Sequence, residues 1–285
     1  MKTAETIEDV RASVAEAKAS GKSVGFVPTL GGLHGGHFSL IDAARQVCDY
    51  IVVSIFLNPT QFAPGEDLDR YPRNTEGDLA ACSDRGVDLV FIPSVETMYV
   101  DGALTEVTVK YLSDALCGRS RPGHFPGVCT VVAKLFNIVT PDKAFFGDKD
   151  YQQAVVVKRM AADLNFPVEI VTCPIIREDD GLAMSTRNRY LCQDHRRQAA
   201  ALHGALELAG EMIRRSHPPA AEVIEAVRRR LADAAPDGKI DYVQVVDTQS
   251  LRDVEGTSGP VLVALAVAFA GARLIDNTVV DSATG

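Results

Sequence analysis

The sequence predicts an α/β fold, a doubly wound parallel sheet followed by a smaller C-terminal α+β domain. Three observations carry this reading. Residues 24–27, 50–56 and 87–92 are short apolar runs without polar alternation, the pattern of strands covered by helices on both faces. Between them lie segments whose apolar residues recur at helical spacing, so strand and helix alternate. After about Ile176 the alternation stops, and two long helical patterns precede a group of strands.

The elements follow in order. Thr6 with Asp9 makes an N-cap pairing for an amphipathic helix that runs to Gly21. The strand at 24–27 is ended by Pro28 and followed by a glycine-rich turn, after which Leu40, Ile41, Ala44 and Val47 mark a helix. The strand at 50–56 runs into a polar loop, and a helix around 75–85 leads to the strand at 87–92. Pro126 can open a helix with Val128, Val131, Val132, Leu135, Phe136 and Val139 on one face, stopped by Pro141. A strand at 143–146, a helix at 151–164 and a strand at 168–171 complete the repetition. Helices over 194–214 and 219–235 then precede strands at 240–247 and 261–270, and a short final strand near Arg273, Leu274 and Ile275. The expected domains are 1–176 and 177–285.

Composition narrows the class. With 285 residues, 46% hydrophobic and 24% charged, the chain can build a real core in one large domain or two ordinary ones. A net charge of -9 opposes non-specific adhesion to nucleic acid or anionic membrane, so an anionic ligand needs local groups. Six scattered cysteines without a CxxC pair argue against a zinc ribbon or thioredoxin-type site and fit a cytoplasmic protein. The acidic, amphipathic start is unlike a secretory or transit segment. The longest apolar run, 261–270, is too short to span a bilayer. A soluble chain is expected.

Chemistry gathers at strand ends. In a doubly wound sheet, ligands bind beyond the carboxyl ends of the strands. The segment PTLGGLHGGHFSL occupies such an end, where glycines let backbone N–H groups approach a ligand and a helix start favours phosphate. His34 and His37, three residues apart, project from one face of the first turn. Imidazoles there can donate to phosphoryl oxygens; a metal pair is disfavoured because HxxH lacks the zincin spacing. At another strand-to-helix turn, Lys149 can reach phosphate, while Asp150 and Gln153 have capping-box spacing. Met184, Ser185, Thr186 and Arg187 place two hydroxyls beside a guanidinium, a phosphate clamp or a loop capping the next helix.

Together, VPTLGGLHGGHFSLIDAA, VSIFLNPTQF, DLDRYPRN, SRPGHFPGV, FFGDKDYQQ, GLAMSTRNRYL and the closing ARLIDN resemble the signature blocks of the pantothenate synthetase (pantoate–β-alanine ligase) family, in that family's order from about residue 20 to the end. The resemblance implies a Rossmann-like fold of the nucleotidyltransferase-like superfamily, with HGGH as counterpart of the HIGH motif and MSTRN of KMSKS. It implies a homodimer in which ATP and (R)-pantoate give pantoyl adenylate, with Mg²⁺ carried mainly on the ATP phosphates. β-Alanine then displaces AMP.

Residue by residue, the resemblance assigns ATP to Leu30, Gly31, Gly32, Leu33, His34, Gly35, Gly36 and His37, with His37 in the proton-donor position. It adds Gly147, Asp148, Lys149, Asp150, Ile176, Met184, Ser185, Thr186 and Arg187 to the ATP set, and names His37, His34, Lys149 and Arg187 as catalytic. Gln61 answers to a contact for pantoate and β-alanine, with Asn58 nearby, and Gln153 to a second pantoate ligand. Arg121 and His124 match a loop near the site. The residues 1–176 would bind ATP and pantoate and 177–285 would form a lid. Four positions depart from the family's common pattern: Leu30 for Met, Gly35 for an acidic residue, Asp148 for Glu and Thr186 for Ser. Leu for Met conserves volume and apolarity, and Thr keeps the hydroxyl. An adenylyltransferase or a non-catalytic nucleotide sensor on the same fold are the competing readings; intact His34, His37, Lys149 and Arg187 argue against the sensor.

Overall fold

The computed structural model describes residues 1–281. The chain forms two compact units, one of residues 1–113, 121–148 and 153–174, the other of 114–120, 149–152 and 175–285.

The first unit carries a six-stranded, fully parallel sheet. Its strands are β1 (Lys2–Ala4), β2 (Val24–Thr29), β3 (Tyr50–Ile55), β4 (Leu89–Phe91), β5 (Lys143–Gly147) and β6 (Glu169–Cys173), in spatial order β1-β4-β3-β2-β5-β6. Connecting helices include α1 (Ile7–Ala19), α2 (Gly35–Val47), α3 (Thr75–Asp84), α4 (Val95–Met98), α6 (His124–Val139) and α7 (Tyr151–Asp163), with α5 (Leu116–Ser120) grouped in the second unit. Strand order runs outward from β2 in both directions, so the topological switch point lies between β2 and β5. Val27, Ile41, Val53, Val90 and Phe145 form a buried core of β2–β5 and α2.

Several elements differ from the sequence expectation. Pro28 does not end its strand: β2 runs on to Thr29, pairing Pro28 with Ser54. Its pairing with β5 covers only Gly25 and Phe26, so the missing N–H of Pro28 leaves no ladder bond unmade on that side. Helix α6 begins at His124, after Gly123 at φ +84, and not at Pro126. Pro126 sits in the first turn, where an N–H has no intrahelical acceptor to lose. Val47 is exposed rather than core-facing. The short edge strand β1, with only Ala4 buried, lacks any apolar pattern that would announce it.

The second unit packs α8 (Gln193–Ala199), α9 (Ala201–Ser216) and α10 (Ala220–Ala234) with an antiparallel sheet of β7 (Lys239–Asp247), β8 (Val261–Phe269) and β9 (Ala272–Val280). Leu202, Ala205, Leu206, Ala209 and Ile213 line one face of α9 at helical spacing and are buried in a core with Val263 and Leu265 of β8. Truncating a core leucine such as Leu206 to alanine costs about 2–5 kcal/mol. The helix expected over 194–214 is two, divided at Ala200. The strand expected only near residues 273–275 is nine residues long and pairs with β8 along its whole length. Asp276 and Asn277 interrupt its apolar pattern, yet both are buried.

Candidate active site

The glycine turn leaves the central strand β2 under tight local constraint. Thr29 donates its hydroxyl to Ser54 O at 2.8 Å and accepts the Gly31 N–H at 3.2 Å. Gly31 and Gly32 have φ of +87 and +64, open to glycine at low cost. A side chain at Gly31 would also press Ile55 Cγ2 at 3.0 Å. The next two amides, Gly32 and Leu33, each donate at 2.8 Å to the buried carboxylate of Asp78 on α3.

His34 is the N-cap of α2 and His37 its third residue, so they close a reciprocal box and do not simply share one helical face. Gly36 N–H donates to His34 Nδ1 at 3.1 Å, and His34 N–H donates to His37 Nδ1 at 3.3 Å. The ring centroids are 4.2 Å apart. A Cβ at Gly36 would fall 2.9 Å from His34 Cε1. Because each Nδ1 accepts a hydrogen bond, each neutral ring carries its proton on Nε2, which makes that edge a donor.

The N–H groups of Gly31, Gly32, Leu33, His34 and Gly36 donate to partners within the protein. The turn also presents the two imidazole edges and the start of α2 at Gly35.

The loop after β3 builds a second polar group. Pro59–Gln61 is a 3₁₀ turn capped by Asn58, whose side chain is fully buried. Asn58 Nδ2 donates to Gln61 Oε1 at 3.1 Å and to Gly127 O at 3.2 Å, while Asn58 Oδ1 accepts the Tyr99 hydroxyl at 2.8 Å. Burial of Tyr99 pushes its phenol above the ordinary value, keeping it a hydrogen donor. Gly127 lets α6 approach this turn: a Cβ there would lie 2.5 Å from Thr60 O. From the other side, His124 Nδ1 donates to Gln61 O at 2.8 Å. Its Nε2 accepts from Arg121 Nη1 at 3.1 Å, and Arg121 is clasped by Glu66 at 2.6 and 2.7 Å. The sequence loop containing Arg121 and His124 thus fastens the backbone of Gln61.

Gly147 ends β5, the strand beside β2, so its turn and the glycine turn leave the same edge of the sheet on neighbouring strands. Burial raises the Asp148 carboxyl despite a hydrogen bond from Thr172 and the charge of Lys158. Gln153, on α7, is half-buried in the same unit.

In the second unit, Lys149 Nζ lies 3.8 Å from Asp150 Oδ1. Met184 N–H donates to Ile176 O at 2.9 Å, closing a hairpin that delivers Ser185, Thr186 and Arg187. Ser185 caps the 3₁₀ turn Thr186–Tyr190 by accepting the Arg187 N–H at 3.3 Å. Thr186 is buried, so of the two hydroxyls only Ser185 lies in a half-exposed position.

Sequence reasoning missed Asp78, Tyr99, Gly127, Asp276 and Asn277. For Asp78 a signal existed: it stands four residues before Cys82 on the buried face of α3, where an unpartnered acid is costly.

Among the described residues no cluster of three or more His, Cys, Asp or Glu is arranged to hold a metal. No helix among them is long and apolar enough to cross a membrane.

Known proteins match this arrangement along nearly the whole chain. The family model described as pantoate-beta-alanine ligase covers residues 2–279. The pantothenate synthetase of Moorella thermoacetica is 53% identical over 281 residues, 99% of each chain, and that of Acetivibrio thermocellus is 50% identical over 281 residues, 99% of this chain and all of the relative. The crystal structure of pantothenate synthetase from Thermus thermophilus superposes with a TM-score of 0.92 at 44% identity, covering 98% of this chain and 99% of that one. That of the Francisella tularensis pantoate-beta-alanine ligase, complexed with beta-gamma ATP and beta-alanine, gives 0.80 at 32% identity, covering all of this chain and 99% of that one. The parallel sheet and the three-stranded antiparallel sheet are therefore shared with these proteins over nearly the full chain, and the chain belongs to the pantoate–β-alanine ligase family.

Proposed function

We propose that this chain condenses (R)-pantoate with β-alanine at the expense of ATP, through a pantoyl adenylate, releasing AMP and diphosphate. The observation that carries the mechanism is the His34–His37 pair at the start of α2, whose Nδ1 atoms both accept backbone N–H groups and so set both ring protons on Nε2. A carboxylate is a poor electrophile, and adenylation supplies a leaving group. Negative charge grows on the phosphoryl oxygens as the pantoate carboxylate attacks, and preorganised donors stabilise that charge more than the ground state.

In this reading Leu30, Gly31, Gly32, Leu33, His34, Gly35, Gly36 and His37 border the ATP phosphates. Gly147, Asp148, Lys149, Asp150 and Ile176 face the adenosine. Lys149 also reaches the phosphates, and Met184, Ser185, Thr186 and Arg187 hold them. Gln61 and Gln153 take the hydroxyls and carboxylate of pantoate, and Gln61 also meets β-alanine. The Francisella enzyme's complex with beta-gamma ATP and beta-alanine supports a shared ligand set. Residues 1–176 would then bind ATP and pantoate, and residues 177–285 supply the Met184–Arg187 segment. We further propose Mg²⁺ on the triphosphate, a cation that keeps most of its waters and needs few protein ligands. A cytoplasmic homodimer completes the reading, with sedimentation at working concentration as the check on the dimer.

The deciding assay measures AMP and diphosphate release with pantoate and β-alanine supplied separately and together. Net AMP formation that needs both acids supports the ligase. Sustained AMP formation without β-alanine overturns it.

A further inference from the structure

We propose that Asp276 and Asn277, neighbours on β9, are positioning residues that tie Lys149 and the 176–187 segment to a single strand, so that these two parts of the ATP-binding set act as one body. The inference rests on the ATP-facing reading of Lys149 and Arg187.

Consecutive residues of a strand point to opposite faces, and here both are polar and buried, unlike the other polar residues of the strand, Arg273 and Thr278. Each has a specific partner. Asp276 receives Arg177 in bidentate fashion, at 2.7 Å on Oδ2 and 3.1 Å on Oδ1. A buried carboxylate tolerates its surroundings only with such pairing. The same Arg177 Nη1 donates to Gly181 O at 3.0 Å, across the hairpin formed by the Arg177–Ala183 bridge and the Glu178 N–H to Leu182 O bond. Gly181, at φ +89, provides the reversal of that hairpin. Thus Asp276 fixes the base from which Met184 to Arg187 emerge.

Asn277 performs the corresponding task for the other segment. Its Nδ2 donates to the backbone carbonyl of Lys149 at 2.9 Å, and its own N–H donates to Asp276 Oδ1 at 2.8 Å. Residues 149–152 accordingly group with 175–285, although the residues on either side of them in sequence group with the first unit. A pair placed only for stability had no need to select these two segments, 99 and 128 residues away in sequence.

The test is a double-mutant cycle on the full-length enzyme with Asn277→Ala and Lys149→Ala, read as KM for ATP and for β-alanine. Asn277→Ala should raise the ATP KM on the order of tenfold, the loss of one well-made hydrogen bond, and leave the β-alanine KM near parental. The double variant should be no worse than Lys149→Ala alone. If the two effects multiply, or if both KM values rise together, Asn277 is a general stabilising residue and the proposal falls. An unchanged ATP KM in Lys149→Ala would instead remove the reading of Lys149 on which the proposal stands. Should Asn277→Ala fail to fold, Arg177→Lys gives the same selective rise in ATP KM if the proposal holds. It retains the charge opposite Asp276 and loses the fork. A parental ATP KM in that variant counts against it.

Discussion

The Asp78 carboxylate accepts the Leu33 N–H at 2.8 Å with one oxygen and the Gly32 N–H at 2.8 Å with the other, joining α3 to the turn that follows the central strand. Asp78 is 4% exposed, and each of its oxygens takes one of those amides. Asp78→Asn keeps the shape but can accept only one of the two N–H groups, and its own Nδ2 then faces a donor. A stranded buried donor costs about 1–3 kcal/mol. The expected result is a lower unfolding midpoint in denaturant and a slower adenylation step, with pantoate affinity changed less than ATP affinity. Parental stability and kinetics together would mean that the turn holds its shape without this brace.

What the sequence makes legible is set by where each signal resides. The central parallel strands announce themselves because covered strands are apolar throughout, whereas the edge strand β1 does not, and the switch point follows from their alternation with helices. The HGGH turn is legible by composition, but its internal hydrogen bonding is not. Nothing local to residues 29–37 says that an acid at position 78 consumes two of its amides. The same holds for Gln61, whose amide is set by Asn58 three residues away and whose carbonyl is set by His124 on a different helix. Strand β9 was legible only in part because Asp276 and Asn277 look like a loop until Arg177 and the Lys149 carbonyl are placed beside them. Local pattern finds elements; long-range polar pairing is invisible to it.

The rigid seating of Gln61 bears on substrate recognition. Its amide offers both donors and an acceptor, and Asn58 already occupies the acceptor side at 3.1 Å, leaving the Nε2 donors toward a carboxylate or hydroxyl. Gln61→Ala and Gln153→Ala should each weaken pantoate binding far more than ATP binding. Equilibrium titration of the two ligands separately measures this. An equal loss for ATP would reassign these side chains to shaping the turns.

Acid sensitivity should trace in part to Glu66. Burial alone would raise its carboxyl, but the hydrogen bonds and charge of Arg121 outweigh that and hold it below the ordinary value. A carboxyl whose folded pKa is depressed adds stability that is fully present above its unfolded value, about 4.3, and is lost as pH falls through the lower folded value. Thermal midpoints followed from about pH 6 down to about pH 3 should therefore fall less steeply in Glu66→Gln than in the parent. At neutral pH the variant should be the less stable of the two, since Arg121 loses its charged partner.

The sharpest consequence concerns His37. Its Nδ1 accepts the His34 N–H at 3.3 Å, which places the proton of the neutral ring on Nε2 and makes that edge a preorganised donor. If this donor meets the charge that develops on the transferring phosphoryl group, His37→Ala should slow adenylation by about 10²–10³-fold. The amide-forming step transfers no phosphoryl group to a new acceptor and should slow less. Chemically prepared pantoyl adenylate supplied with β-alanine bypasses the first step and measures the second alone. His37→Asn retains an oxygen for the His34 N–H and an N–H donor, so it should recover part of the lost rate while Ala does not. Removing the imidazole also opens one side of the reciprocal cap on α2, at a cost of about 0.5–2 kcal/mol in stability. Unfolding curves distinguish that loss from the kinetic one, because a capping defect lowers both chemical steps alike. Adenylation near the parental rate in a folded His37→Ala enzyme would leave His37 a structural residue of the helix start and shift the burden of charge stabilisation to His34.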